Sequence, residues 1–120
     1  MDKGVDESNV NIAVAAESST ESSRISDMAG RAPFFLIFNG SGVFIKAIKN
    51  PAQDQQGGAS SRVTALLKKE SVKTLVAGNF GAKMENNLKA AGIEYRKQTG
   101  IAKEVVETIT KNKSRKNAHN

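Results

Sequence analysis

The chain contains no cysteine. Disulfide staples, zinc fingers and thiolate-ligated iron–sulfur centres are therefore excluded. Its one histidine, His119, is the second-last residue, which rules out a multi-histidine metal site and a Ser/His/Asp catalytic set. Tryptophan is absent, Tyr95 is the only tyrosine, and there are five phenylalanines. Such a chain cannot interleave aromatics with basic residues as single-strand nucleic-acid surfaces do. No stretch approaches the roughly 18 apolar residues of a membrane span. The acidic start Met1-Asp2-Lys3-Gly4 does not read as a secretory leader, so the expected compartment is the cytoplasm. There is no Gly-x-Gly-x-x-Gly or Walker loop. A two-metal nuclease would need carboxylates on its first strand. Here that strand offers alanines and valine and no carboxylate, with Glu17 just past its end and Asp27 and Asp54 isolated in loops. No enzyme is expected.

What is present fits one globular domain: 120 residues, 38% hydrophobic and 25% charged. A chain of this length can bury a core without covalent staples. Charge is unevenly spread. Residues 1–30 hold two basic and six acidic side chains, whereas residues 31–120 hold sixteen basic and six acidic ones. A basic field favours anionic partners. Four of these cations, Lys111, Lys113, Arg115 and Lys116, fall in the last ten residues and read most simply as a solubilising tail. The expected organisation is a flexible tail over residues 1–9, one domain over 10–110, and a basic tail over 111–120.

Periodicity predicts the elements. Val10 to Ala15 alternates large and small residues, as in a strand with one face packed. Phe34-Phe35-Leu36-Ile37-Phe38 and Val43 to Ile48 are two further strands, and Asn39-Gly40 between them signals an antiparallel hairpin. Ala59, Val63, Leu66 and Leu67 then share one helical face, and Val72 to Ala77 reads as a buried strand. Phe80, Met84, Leu88 and Ala91 repeat at four-residue intervals up to Gly92, placed as a C-terminal cap. A short strand at Ile93 to Arg96 and a helix on Ile101, Val105 and Ile109 complete the order β-β-β-α-β-α-β-α. A hairpin followed by right-handed βαβ units gives an α/β fold, a mixed five-stranded sheet with one antiparallel strand and helices on both faces.

In such sheets ligands sit beyond the carboxyl ends of parallel strands. Three segments could reach that rim: Ser26 to Arg31, Gln56 to Ser60, and Gly78 to Gly81. Their glycines let backbone N–H groups approach a ligand, and helix N-termini add positive potential. Arg31 would add a permanent forked cation. The predicted ligand set is Met28, Gly30, Arg31, Gly57, Gly58, Gly78, Asn79 and Gly81, forming a shallow anion site. Each piece also has a plain structural reading: turn and cap glycines, Asn79 as a helix cap, Arg31 paired with Asp27, and Met28 and Met84 as core filler.

Two longer stretches, Asn11 to Ala15 and Ile25 to Ile37, carry a resemblance to the dinitrogenase iron–molybdenum cofactor biosynthesis family. It continues through Ile48-Lys49-Asn50-Pro51-Ala52, Gly57-Gly58-Ala59, Val76 to Gly81, Leu88 to Ile93 and Thr99-Gly100, in order over roughly residues 10–110. The resemblance implies a three-layer, ribonuclease-H-like α/β/α fold. It implies a small non-enzymatic carrier or scaffold, similar to nitrogenase accessory factors, that holds an iron–sulfur–molybdenum or molybdenum–copper sulfide cluster, or its precursor, without covalent attachment. The partner it implies is a cluster-assembly or acceptor protein, not a membrane or nucleic acid, with the chain a monomer or weak dimer. Where that family commonly has histidine then phenylalanine, this chain has Met28 and Ala29. A thioether there suits only a soft metal such as Cu(I). The alternative reading is a protein-interaction module that keeps the fold without the metal.

Overall fold

A computed structural model describes residues 10–118, with side chains as far as Lys111. The expected tail over residues 1–9 lies outside the described residues, as do His119 and the side chains of residues 112–120. The strands are β1 (Asn11–Ala16), β2 (Phe34–Phe38), β3 (Phe44–Lys49), β4 (Val72–Ala77) and β5 (Glu94–Lys97). The helices are α1 (Ala59–Lys69), α2 (Ala82–Ala90) and α3 (Ala102–Ala118), with a 3₁₀ turn at Ala29–Arg31 that periodicity does not signal. The domain boundary expected at residue 110 falls inside α3.

The strand order is β3-β2-β1-β4-β5. β4 is parallel to β1 and β5, whereas β2 is antiparallel to β1 and to β3. The expected mixed sheet with a single antiparallel strand is thus present, and that strand is β2. α1 and α2 cover one face, where Val63, Leu67, Met84 and Leu88 meet Ala13, Ala15, Phe35, Ile37 and Leu75. α3 covers the other, where Ala102, Val106 and Ile109 meet Ile12, Val14, Leu36, Phe38 and Val76. β1 therefore corrects the expectation of one packed face. Its last five residues are all buried, because it is the central strand between two helical layers. Its large–small alternation separates two packed faces rather than core from solvent.

Two turns follow from local chemistry. Asn39 Oδ1 accepts the N–H groups of Ser41 and Val43 at 2.9 and 3.0 Å. The left-handed residue that closes the hairpin is Gly42, at φ 87°, rather than the Asn39-Gly40 pair. The loop is therefore longer than the two-residue turn that an Asn-Gly step favours. α2 ends as its sequence predicts. Gly92, at φ 75°, donates to the Lys89 carbonyl, and the Ile93 N–H donates to the Leu88 carbonyl at 2.9 Å. This is a Schellman cap, sealed by the burial of both Leu88 and Ile93.

Candidate anion site at the carboxyl edge of the sheet

β1, β3 and β4 run in one direction, so the segments that follow them emerge at one edge. The chain after β1 leads to the 3₁₀ turn, the chain after β3 to the N-terminus of α1, and the chain after β4 to the N-terminus of α2. A pair of main-chain contacts joins the first segment to the third. The Ala29 N–H donates to the Asn79 carbonyl at 3.1 Å, and Met28 bridges to Asn79 as a parallel strand pair.

Where these segments meet there is an open cavity of about 200 Å³. Met28, Gly30, Arg31, Gly57, Gly58 and Gly81 of the predicted set line it, together with Gln56, Ala59, Ser60, Lys83 and Met84. At about 30 Å³ per water in the liquid, this is room for a small anion or one end of a larger one. Gly78 and Asn79 of the predicted set are not among the lining residues. A Cβ on Gly78 would stand 3.0 Å from the Asp27 backbone, and its N–H donates to the Ser26 carbonyl at 2.8 Å. Asn79 spends its side-chain oxygen on the Phe80 N–H at 2.8 Å. Both residues support the wall from behind.

The lining is suited to negative charge. The N-caps of α1 and α2 are glycines, Gly58 and Gly81, which supply no side-chain cap. The first N–H groups of each helix are thus left without the usual partner, at the positive ends of two helix dipoles. Arg31 and Lys83 add two cations, and no carboxylate lines the cavity. Arg31 is not paired with Asp27: its Nη1 donates to the carbonyls of Gln53 and Gln55 at 3.2 and 3.1 Å. Met28 is 38% exposed, so its thioether stands at the rim, whereas Met84 is buried beneath it, with its Cε 3.4 Å from where a Cβ on Gly30 would be. Met84 is therefore both core and floor. Lys83 escaped the reading from sequence, although its place two residues after Gly81 in the first turn of α2 put it within reach of any ligand at that terminus.

A larger depression of about 610 Å³ lies near the same loop, lined by Lys49, Asn50, Pro51, Gln53, Asp54, Gln55 and Arg62. Three of its polar side chains are already engaged, Asn50 with backbone carbonyls, and Arg62 and Gln55 with each other through Gln55 Oε1 at 3.1 Å. It also contains neither uncapped helix start, and the smaller cavity is the better candidate. Among the described residues, no three of His, Cys, Asp or Glu gather as a metal-ligand group. No helix among them is long and apolar enough to cross a membrane.

A family model described as dinitrogenase iron–molybdenum cofactor matches residues 10–112. Among solved structures, the apo form of the orange protein from Desulfovibrio gigas aligns with a TM-score of 0.78 at 25% identity, over 85% of this chain and 88% of that one. A Thermotoga protein assigned to the DUF35 family aligns with a TM-score of 0.71 at 25% identity, over 84% and 87% of the two chains. A protein from Methanocaldococcus jannaschii shares the fold, with a TM-score of 0.52 at 15% identity over 85% and 88%. A comparison with curated protein sequences gives no match.

Proposed function

The chain belongs to the dinitrogenase iron–molybdenum cofactor family, and from that premise we propose that it is a non-enzymatic carrier for an anionic metal–sulfur cluster or cluster precursor. The cargo is held non-covalently at the cavity between the N-termini of α1 and α2, and is passed to or from a cluster-assembly or acceptor protein. The observation that carries this reading is a pair of glycines the fold does not need. A Cβ on Gly57 or on Gly81 would meet no atom within 4 Å, and neither residue has the left-handed backbone that demands glycine. Bare backbone at these two positions keeps N–H groups accessible from the cavity. The lining holds cations and helix starts but no carboxylate, so it matches a sulfide-rich anion in sign. It would act through charge and hydrogen bonds, with metal ligation left to the cargo's own sulfur atoms and, for a soft metal, to the Met28 thioether.

Anaerobic purification followed by metal analysis and a visible spectrum tests this directly. Stoichiometric iron, molybdenum or copper with a charge-transfer band is the expected result, as is reconstitution of the apoprotein with thiomolybdate, with or without copper. Arg31→Ala and Lys83→Ala should each weaken thiomolybdate binding by about tenfold while the melting curve stays intact, the loss of one charge-assisted contact. Unchanged affinity in both would remove the site. A second reading, a metal-free interaction module of the same fold, draws on Met28 standing where the family commonly has histidine. Failure of every reconstitution by a folded protein would favour it.

A further inference from the structure

The two walls of the cavity are separate in sequence, yet one buried side chain ties the first to the loop that leads to the second. Asn50 is 4% exposed. Its Nδ2 donates to the carbonyls of Gly30 at 3.1 Å and Ala32 at 2.9 Å, using both amide hydrogens. Its Oδ1 accepts the Ala52 N–H at 2.8 Å, and its own N–H donates to the Pro33 carbonyl at 2.9 Å. One residue thus pins the Gly30-Arg31 wall to the start of the loop that ends at the Gly57-Gly58 wall.

Further struts run along that loop from the same anchor. Arg31 reaches out from the first wall to the Gln53 and Gln55 carbonyls. Gln55 in turn hydrogen-bonds the Gly57 carbonyl and accepts from Arg62 of α1 at 3.1 Å. Otherwise the loop from residue 51 to 58 has little to hold it. Its main-chain hydrogen bonds are Gln53 N–H to the Asn50 carbonyl at 3.4 Å, Gln55 N–H to the Ala52 carbonyl at 3.1 Å and, at its far end, Arg62 N–H to the Gly58 carbonyl at 3.1 Å, and most of its residues are exposed. Such a segment keeps a fixed shape only where side chains pin it.

We propose that Asn50 is the positioning residue of the anion site: by bridging Gly30, Ala32 and Ala52 it fixes the Arg31 cation and the Gly57-Gly58 backbone in one pre-formed geometry. The inference rests on the carrier reading. The chemistry demands an amide. Two carbonyl oxygens need two donors from one side, while the Ala52 N–H needs an acceptor from the same group. Aspartate has the same shape but is acceptor-only when ionised, and would set a carboxylate oxygen against two carbonyls in a buried place. Lys83 and Ser60, on the opposite helices, do not depend on this bridge and are the contrast within the same site.

The decisive comparison is amide hydrogen exchange in the anion-free protein, wild type against Asn50→Asp, followed by thiomolybdate titration of both. Exchange at Arg31, Asn50, Gln53 and Gln55, whose N–H groups donate to carbonyls of the first wall and the loop, should rise by about tenfold or more, the effect of losing buried hydrogen bonds. Exchange at Val14 and Val76 should rise less, only by the fall in global stability, and thiomolybdate affinity should fall by about tenfold. Should Asn50→Asp not fold, Asn50→Ser, which keeps one donor on a smaller, uncharged side chain, gives the same pattern at smaller amplitude. Unchanged exchange at Arg31, Asn50, Gln53 and Gln55 in a folded variant overturns the Asn50 assignment whatever happens to binding. A wild-type protein that binds no anion overturns the carrier reading and the positioning role with it, even where exchange rises as expected. A uniform rise that includes Val14 and Val76 also overturns the assignment, because it marks global loosening rather than loss of a local bridge.

Discussion

Two glycines at the same edge of the sheet do opposite work. Gly78 packs against the chain of Asp27, and a Cβ there would meet backbone at 3.0 Å. Gly78→Ala should cost about 2 kcal/mol, the usual order for forcing extra volume into a packed place. Gly57 faces open space, so Gly57→Ala should instead stabilise by about 0.5 kcal/mol through the unfolded chain, while thiomolybdate binding weakens. Chemical denaturation of both variants measures the two signs, and a loss of stability in Gly57→Ala would mean that this glycine serves the fold after all. Sequence alone marks both residues as near the rim but cannot separate them, since the difference lies in which segment passes behind. The same holds for Asn79 and Arg31, identified from residue type alone. Their partners, the Phe80 N–H and the carbonyls of Gln53 and Gln55, come from main-chain groups, and composition cannot reveal which ones are near.

At the scale of elements, the places of the strands and helices were legible because their apolar residues repeat at two clear periods. What sequence could not give was the state of their ends. α1 and α2 both start on glycine with no side-chain cap, a mildly destabilising choice, since a capping side chain is worth a few tenths of a kcal/mol over glycine. Gly58 has a left-handed φ of 74° and so a conformational reason to be glycine, but Gly81, at φ −75° and ψ 162°, has the extended backbone usual for an N-cap. Gly81→Asp should therefore raise stability by about 0.5 kcal/mol, by satisfying N–H groups and complementing the helix dipole. It should also abolish anion binding, because the carboxylate takes the same donors and repels the same ligand. Gly81→Ser, a cap without charge, should keep most of the stability gain with a smaller loss of affinity. Were Gly81→Asp to bind thiomolybdate as wild type does, the N-terminus of α2 would have no part in the site.

For the whole molecule, the decisive fact is strand order. Placing β4 beside β1 and in parallel carries the segments after both strands to one edge, and β2, running against them, turns β3 round so that α1 also starts there. Three weak sequence signals thereby become one lined cavity, and six of the eight predicted residues line it. The charge distribution acts at this same scale. Residues 31–120 carry sixteen cations against six carboxylates, a field that reaches beyond the cavity and draws anions toward it. Attraction of that kind is screened within about 10 Å at 0.1 M salt. The association rate of thiomolybdate should accordingly fall several-fold between about 20 mM and about 500 mM sodium chloride, with the dissociation rate much less affected. Affinity should also hold level between about pH 6 and pH 8, since the cavity lining contains no histidine. Stopped-flow traces over a salt series and a titration at each pH test both. A step in affinity near pH 6.5 would point to His119, the only histidine of the chain, and would move the search for the ligand to the C-terminal end. A salt-independent association rate would mean that the anion is recognised by its contacts alone, with the +6 charge of the molecule serving some other partner.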